Sequence, residues 1–163
     1  MSGERSITPF AGGGDAPLIL DKSILIHASP ERVFAWLSPA RQPAWDKSLV
    51  RAAGADLAQG ARFGSVHRTV GCRFETMAQA TDVETGRRFA WRQLAGDYAI
   101  HEGAYTLEAV PDGTLLHLRA DVEMPYALPR LVTEDELRND LSRQADDALF
   151  NLKALVERSR AAG

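Results

Sequence analysis

Between Thr133 and Arg160 the apolar residues Leu137, Leu141, Ala145, Ala148, Leu149, Leu152, Leu155 and Val156 recur at spacings of three, four and seven. At about 100° per residue they fall in one arc of roughly 120°, the stripe of a long amphipathic helix lying against a core. Thr133 with Glu136 three residues on forms a capping box, and Glu134, Asp135 and Glu136 complement the positive end of the helix dipole. Lys153, Arg158 and Arg160 gather at the far end. At about 1.5 Å per residue the helix reaches ~40 Å, the length of a small domain. Its stripe requires a cover from upstream.

That cover reads as antiparallel sheet. Leu18, Leu20, Ile24 and Ile26 share one face of a first strand over 18–27, interrupted by Lys22. Ser29 as N-cap and Pro30 at the first helical position start a short helix with Val33, Phe34 and Leu37 on its inner side. Ser38-Pro39 and Pro43 end it, and a second short helical piece or turn leads to Trp45. From Ser48 to Met124 the period is two, punctuated at Gly54, Gly60, Gly71, Thr85-Gly86, Gly96-Asp97 and Pro111-Asp112-Gly113. The predicted strands cover 49–55, 61–70, 72–83, 87–94, 100–110 and 114–124. No helical segment separates any of them, so the sheet is antiparallel.

Strand parity sorts the side chains. Leu116, Leu118, Ala120, Val122 and Met124 face inward, against His117, Arg119, Asp121 and Glu123. Tyr105 and Leu107 face inward, and His101 shares their parity. Phe89, Trp91 and Gln93 share a face, as do Phe63, Ser65, His67 and Thr69. On the long strand after Cys72 the inward set is Glu75, Met77, Gln79, Thr81 and Val83; Phe74 opposes it unless a bulge near Gly71 shifts the phase. Glu134 and Arg138 lie on the arc of the long helix. They are expected at a pocket mouth, with Leu141 onward as the anchor.

Composition narrows the class. The 163 residues are 45% hydrophobic and 25% charged, with net charge −3 and a pI near 5.8, and imply one domain over 18–160. Residues 1–17, with Gly12, Gly13 and Gly14, read as a flexible tail. An acidic chain has no electrostatic reason to bind nucleic acid, so Arg73, Arg87, Arg88 and Arg92 read as a solvated outer face. No apolar run approaches ~20 residues, which argues against membrane insertion. The single Cys72 fits a reducing cytoplasm and lacks the companions of a nucleophile.

The candidate chemistry is that of histidine and tyrosine. His67 is placed to act as acid or base, or to donate to a ligand carbonyl; equally, it is a histidine hydrogen-bonded within the sheet. His101 invites the same two readings, whereas His27 and His117 read as surface. Tyr105 either donates to a ligand oxygen or buries its ring and bonds the nearest partner. Trp45, Phe89 and Trp91 suit a planar ligand or serve as core aromatics. The four histidines lack ligand spacing for a metal, and no dinucleotide or nucleophile-elbow motif is present, so no cofactor is expected.

Several stretches carry a family resemblance. Ser23-Ile24-Leu25-Ile26-His27-Ala28-Ser29-Pro30-Glu31-Arg32-Val33-Phe34 resembles the opening of the START-like (SRPBCC) superfamily, with Trp45 where its members often carry a tryptophan. Gly60-Ala61-Arg62-Phe63 and Val83-Glu84-Thr85-Gly86-Arg87-Arg88-Phe89-Ala90-Trp91 are similar to its central strands, and Leu149 to Glu157 to its closing helix. The bacterial polyketide cyclase/dehydrase and lipid-transport group is the nearest in pattern. The resemblance implies an α+β helix-grip fold: a seven-stranded curved antiparallel sheet wrapped around the C-terminal helix, with two short helices after the first strand. It also implies an apolar cavity between sheet and helix. Two functions follow, a binder or carrier of a small hydrophobic, ring-containing ligand, and a cofactor-independent polyketide cyclase/dehydratase in which His67, Tyr105 or Glu75 handles proton transfer. A third, remoter one is a protein-interaction module with a filled core. The expected ligand-binding set is Trp45, Phe63, His67, Met77, Phe89, Trp91, Gln93, His101, Tyr105, Leu118, Met124, Arg138 and Leu141, in a monomer or homodimer.

Overall fold

The computed structural model describes residues 17–54, 57–125, 127–128 and 130–162; the predicted tail over 1–17 lies outside them except for Pro17. The alternating segments form seven strands: β1 (Leu18–Ile26), β2 (Leu49–Ala53), β3 (Arg62–Thr69), β4 (Cys72–Glu84), β5 (Arg88–Gly96), β6 (Ile100–Val110) and β7 (Gly113–Glu123). They pair antiparallel in the order β1-β7-β6-β5-β4-β3-β2. The sheet curls around helix α2 (Glu134–Ala162), and helix α1 (Pro30–Ala35) follows β1. The second predicted helical piece is one 3₁₀ turn, Gln42–Ala44, because two prolines leave it no length.

Local signals account for both helix starts. The Ser29 hydroxyl accepts the Arg32 N–H at 3.4 Å, with Pro30 in the first turn. At α2 the capping box closes in both directions: Glu136 N–H donates to Thr133 Oγ1 at 3.1 Å, and Thr133 N–H to the Glu136 carboxylate at 2.9 Å. Those bonds hold the Glu136 carboxyl below the usual carboxylate range.

The stripe of α2 packs unevenly. Leu137, Leu152 and Val156 are fully buried, and Ala148 and Leu149 nearly so. Leu141, Ala145 and Leu155 are half-buried. Polar ties fix the helix at both ends. Lys22 on β1 reaches Ser142 at 2.9 Å and Asp146 at 3.0 Å, Lys153 donates to the Leu25 carbonyl at 2.7 Å, and Asn151 donates to the Trp45 carbonyl at 3.2 Å. Toward the N-terminal end, Asp140 accepts the Val70 N–H at 2.7 Å, and Gln144 bonds the Arg68 carbonyl and the Thr69 hydroxyl.

Val70 and Gly71 form the two-residue β3–β4 turn, with φ of 48° and 78°. Two positive φ values describe a type I′ hairpin, in which a β-branched residue is an outlier. The Asp140 bond and the packing of Val70 on the core offset that strain.

This tight turn corrects the phase expected for β4. With Thr69 opposite Cys72, His67 pairs with Phe74 and Ser65 with Thr76. Cross-strand partners share a face, so Phe74, Thr76, Ala78 and Ala80 point inward and are buried. Glu75 and Met77 are therefore exposed on the outer face, Met77 at 44%. The register does shift, but between Met77 and Ala78 and between Ala80 and Asp82, not at Gly71. The second shift returns Val83 to the core, opposite Phe89.

The stripe assignment has a direct check in denaturant. Leu152→Ala should lower the unfolding free energy by about 2–5 kcal/mol through a cavity in a sealed site. Phe150→Ala, on the opposite face and 65% exposed, should cost less than about 0.5 kcal/mol. Equal urea midpoints for the two variants would contradict the packing described.

Candidate functional site

A cavity of about 120 Å³ remains between the inner face of the sheet and the middle of α2. Alternation on β3, β5, β6 and β7 brings Phe63, Phe89, Trp91, Tyr105, Leu118 and Ala120 to its wall. The helix contributes Leu141, Gln144, Ala145, Ala148 and Leu149. The aromatic rings are in mutual contact: Phe89 lies 6.4 Å from Tyr105 at 17°, Trp91 lies 5.4 Å from Tyr105, and Phe63 lies 5.9 Å from Phe89. Such offset clusters hold each ring's orientation. Trp45 stands behind this wall, edge-on to Tyr105 at 6.3 Å, with its indole N–H on the Trp36 carbonyl at 2.8 Å.

Polar groups reach the same cavity. Asp46 and Ser48 come from the segment between the 3₁₀ turn and β2, His67 from β3, Thr76 from β4, Tyr98 from the β5–β6 turn, and His101 from β6. Asp46 Oδ1 accepts both the Ser48 N–H at 3.1 Å and the Ser48 hydroxyl at 2.7 Å. Ser48 Oγ lies 3.4 Å from His67 Nδ1. On the other side Trp91 Nε1–H donates to His101 Nδ1 at 3.3 Å. Ser65 and Thr76 hydroxyls bond each other at 2.8 Å.

Burial sets the protonation. Desolvation lowers the pKa of His67, opposed by the Asp46 carboxylate. Desolvation, reinforced by the neighbouring His67 and partly offset by its own backbone, takes His101 down to about 4. Desolvation likewise raises the phenols of Tyr98 and Tyr105 well above their ordinary value. At neutral pH both imidazoles and both phenols are therefore uncharged.

Of the residues proposed from sequence for a ligand site, Phe63, His67, Phe89, Trp91, His101, Tyr105, Leu118 and Leu141 line the cavity. The rest of the expected set stands elsewhere. Glu75 and Met77 face away for the reason of register given above. Gln93 braces the β5–β6 turn by donating to the Tyr98 carbonyl at 2.8 Å. Met124 is buried in the core without lining the cavity, and Trp45 stands behind Tyr105. Arg138 lies 3.8 Å from Glu134 and does not line the cavity, so the first turn of α2 is not the charged mouth expected. The cavity lies under Leu141 to Leu149, within the segment expected to be anchor.

Asp46, Ser48, Tyr98 and Gln144 are not among the residues expected from sequence. The first three sit in turns, where no period assigns a direction. Gln144 borders the apolar arc, and its position beside Leu141, Ala145 and Ala148 is the available signal. A larger trough of about 580 Å³ crosses the outer face, but it is open and edged by Arg88, Arg92, Glu102 and Arg119. Among the described residues no group of three or more His, Cys, Asp or Glu is placed to hold a metal. No described helix is long and apolar enough to cross a membrane.

Comparison with known proteins agrees with this architecture. The Zhui aromatase/cyclase from Streptomyces sp. R1128 superposes with a TM-score of 0.74 at 19% identity, covering 91% of this chain and 99% of that one. TTHA0849 from Thermus thermophilus gives 0.72 at 15% identity, covering 88% and 99%. The di-domain ARO/CYC StfQ of the steffimycin biosynthetic pathway gives 0.71 at 18% identity, covering 99% of this chain and 56% of that one. At these identities the likeness is one of fold. No curated protein matches the chain by sequence. The model of one family matches residues 18–157: the chain belongs to the family described as polyketide cyclase / dehydrase and lipid transport.

Proposed function

We propose that the chain binds a small, neutral, ring-containing hydrophobic ligand in the cavity between sheet and helix. One observation carries this reading: an aromatic wall of Phe63, Phe89, Trp91 and Tyr105 faces the short side chains of Ala145 and Ala148 across an unfilled space. An empty apolar cavity of roughly 150 Å³ takes a benzene-sized ring, and about 120 Å³ is of that order. The ligand is accordingly one ring in size, smaller than a fused polycycle. Burying ~130 Å² of such a ring contributes about 3 kcal/mol before association costs. The Asp46 carboxylate and the un-ionised histidines leave nothing to neutralise an anionic ligand.

The cyclase/dehydratase alternative draws support from a different observation, the Asp46–Ser48–His67 chain. A neutral imidazole backed by a carboxylate through a hydroxyl is suited to act as a general base, because the carboxylate stabilises the imidazolium formed. In that reading Tyr105 remains a proton donor and Glu75 has no part. The two readings separate on turnover: a carrier shows none with or without His67, whereas a cyclase loses turnover by about 100-fold or more in His67→Ala.

Filling the cavity tests the binding reading. Ala145→Leu should reduce affinity for one-ring compounds at least tenfold, followed by tryptophan fluorescence, while thermal stability holds or rises. Extraction of the purified protein followed by mass spectrometry should release a small ring compound from the wild type and less of it from this variant. Unchanged affinity in Ala145→Leu would place the ligand elsewhere.

Acidification offers a second check. A group whose folded pKa is depressed stays neutral down to that lower value, so affinity for a neutral ligand should be level from pH 8 to about 6. It should fall as His101 takes up its proton near pH 4. His101→Gln should flatten this part of the titration. A rise in affinity on acidification would contradict the assignment.

A further inference from the structure

The hydrogen-bond partners of the two cavity histidines call for opposite tautomers. The Ser48 hydroxyl proton is committed to Asp46, a carboxylate that only accepts. Ser48 Oγ therefore offers His67 a lone pair, and His67 Nδ1 must carry the proton of that 3.4 Å contact. Its Nε2 is then a bare acceptor. For His101 the partner is reversed. An indole N–H only donates, so His101 Nδ1, 3.3 Å from Trp91 Nε1, is the acceptor and Nε2 carries the proton.

In both rings Nδ1 is tied to the wall, leaving Nε2 as the nitrogen available to a ligand. Neither Nε2 has a hydrogen-bond partner among the described residues, neither is a sealed, unsatisfied atom, and both residues line the cavity. The cavity lining thus includes one acceptor and one donor together with its aromatic residues. A polar site left unpaired by its ligand discriminates strongly, because each abandoned group retains its desolvation cost.

We propose that His67 and His101 are specificity-determining residues that select a neutral one-ring ligand bearing both a hydrogen-bond donor and a carbonyl, the donor meeting His67 Nε2 and the carbonyl meeting His101 Nε2–H. This rests on the ligand-binding reading above and adds the polar pattern of the ligand. Ser48 and Trp91 act as positioning residues, since each fixes a tautomer through Nδ1. A ring ketone satisfies only His101, and a ring amine or phenol satisfies only His67. A lactam satisfies both.

Two measurements on the full chain test the proposal. The first is the ¹⁵N–¹H correlation of the histidine side chains at pH 7.5. The expected pattern is Nδ1–H for His67 and Nε2–H for His101, with Ser48→Ala and Trp91→Phe each releasing its own histidine to a tautomer mixture. The same tautomer in both rings of the wild type overturns the proposal.

The second compares 2-piperidone with cyclohexanone, rings of nearly equal size that differ by one N–H in place of a CH₂. Ligand-observed NMR should show the lactam binding at least tenfold more tightly. His67→Phe, which removes the acceptor but keeps a ring, should erase the preference. If cyclohexanone binds as well as or better than 2-piperidone, the proposal fails while the ligand-binding reading survives. If neither ring binds, both fail together. Thermal unfolding of His67→Phe and of Ser48→Ala confirms that each is folded, and should His67→Phe not fold, loss of the preference in Ser48→Ala decides the question.

Discussion

The interaction on which the rest depends is the incomplete fit between α2 and the sheet. A helix packs on a surface through the side chains of one stripe, and the separation is set by the largest of them. Leu137 at one end and Leu152 and Val156 at the other seal fully against the sheet. Between them Ala145 and Ala148 lie opposite aromatic residues held in contact with one another, and two methyl groups do not reach across. Anchoring a stiff rod at both ends while shortening its side chains in the middle creates a void that relaxation does not close. Cavity and core are thus produced by one stripe, through residue size alone.

Polar clamps keep that rod in place. Asn151 and Lys153 tie the C-terminal half of α2 to the Trp45 region and to β1, and Lys22 ties Ser142 and Asp146 to β1. Asp140 and Gln144 tie the same N-terminal half as Lys22 to the β3–β4 turn, where Val70 holds a left-handed backbone. These bonds act over long sequence separations, and they set where Thr69, His67 and Tyr98 stand relative to the helix. The strained turn has a consequence for the site as well. A two-residue connection leaves no slack, so the register of β3 on β4 is determined by the turn geometry.

That register marks how much is legible in the sequence. The seven strands, the long helix and its capping box follow from period and end signals, which are local and strong. The inward face of β7 also follows, because alternation there is uninterrupted, and Tyr105 and Leu107 set that of β6; on β3 the parity of Phe63, Ser65 and His67 gives the cavity face although Val66 is buried on the other. On β4 the even positions Phe74, Ala78 and Ala80 are the more apolar set, but Met77 and Val83 at odd positions and Asp82 at an even one obscure the alternation. Cross-strand arithmetic through the Val70-Gly71 turn carries the answer: His67 inward forces Phe74 inward. Period within one strand is a weaker guide than pairing between two. Asp46, Ser48 and Tyr98 lie beyond either method, because turn side chains take their direction from tertiary contacts that no short-range pattern encodes.

The polar residues of the cavity follow from a further constraint. A buried polar atom is costly unless paired, so a mostly apolar void tolerates few of them. Here several are paired within the protein: Ser65 with Thr76, Ser48 with Asp46, and Gln144 with Thr69 beside the cavity. Each internal pair removes a demand for water and leaves the space free for carbon. Capacity left over on His67, His101 and Tyr105 is then concentrated around one small volume. Groups that satisfy each other are framework. Those unsatisfied by protein but still reachable define, by subtraction, what a ligand has to bring. The uncharged state of these three groups at neutral pH, set by desolvation, makes that complement a neutral one. Selectivity in such a site follows from which hydrogen-bonding positions the fold has already used.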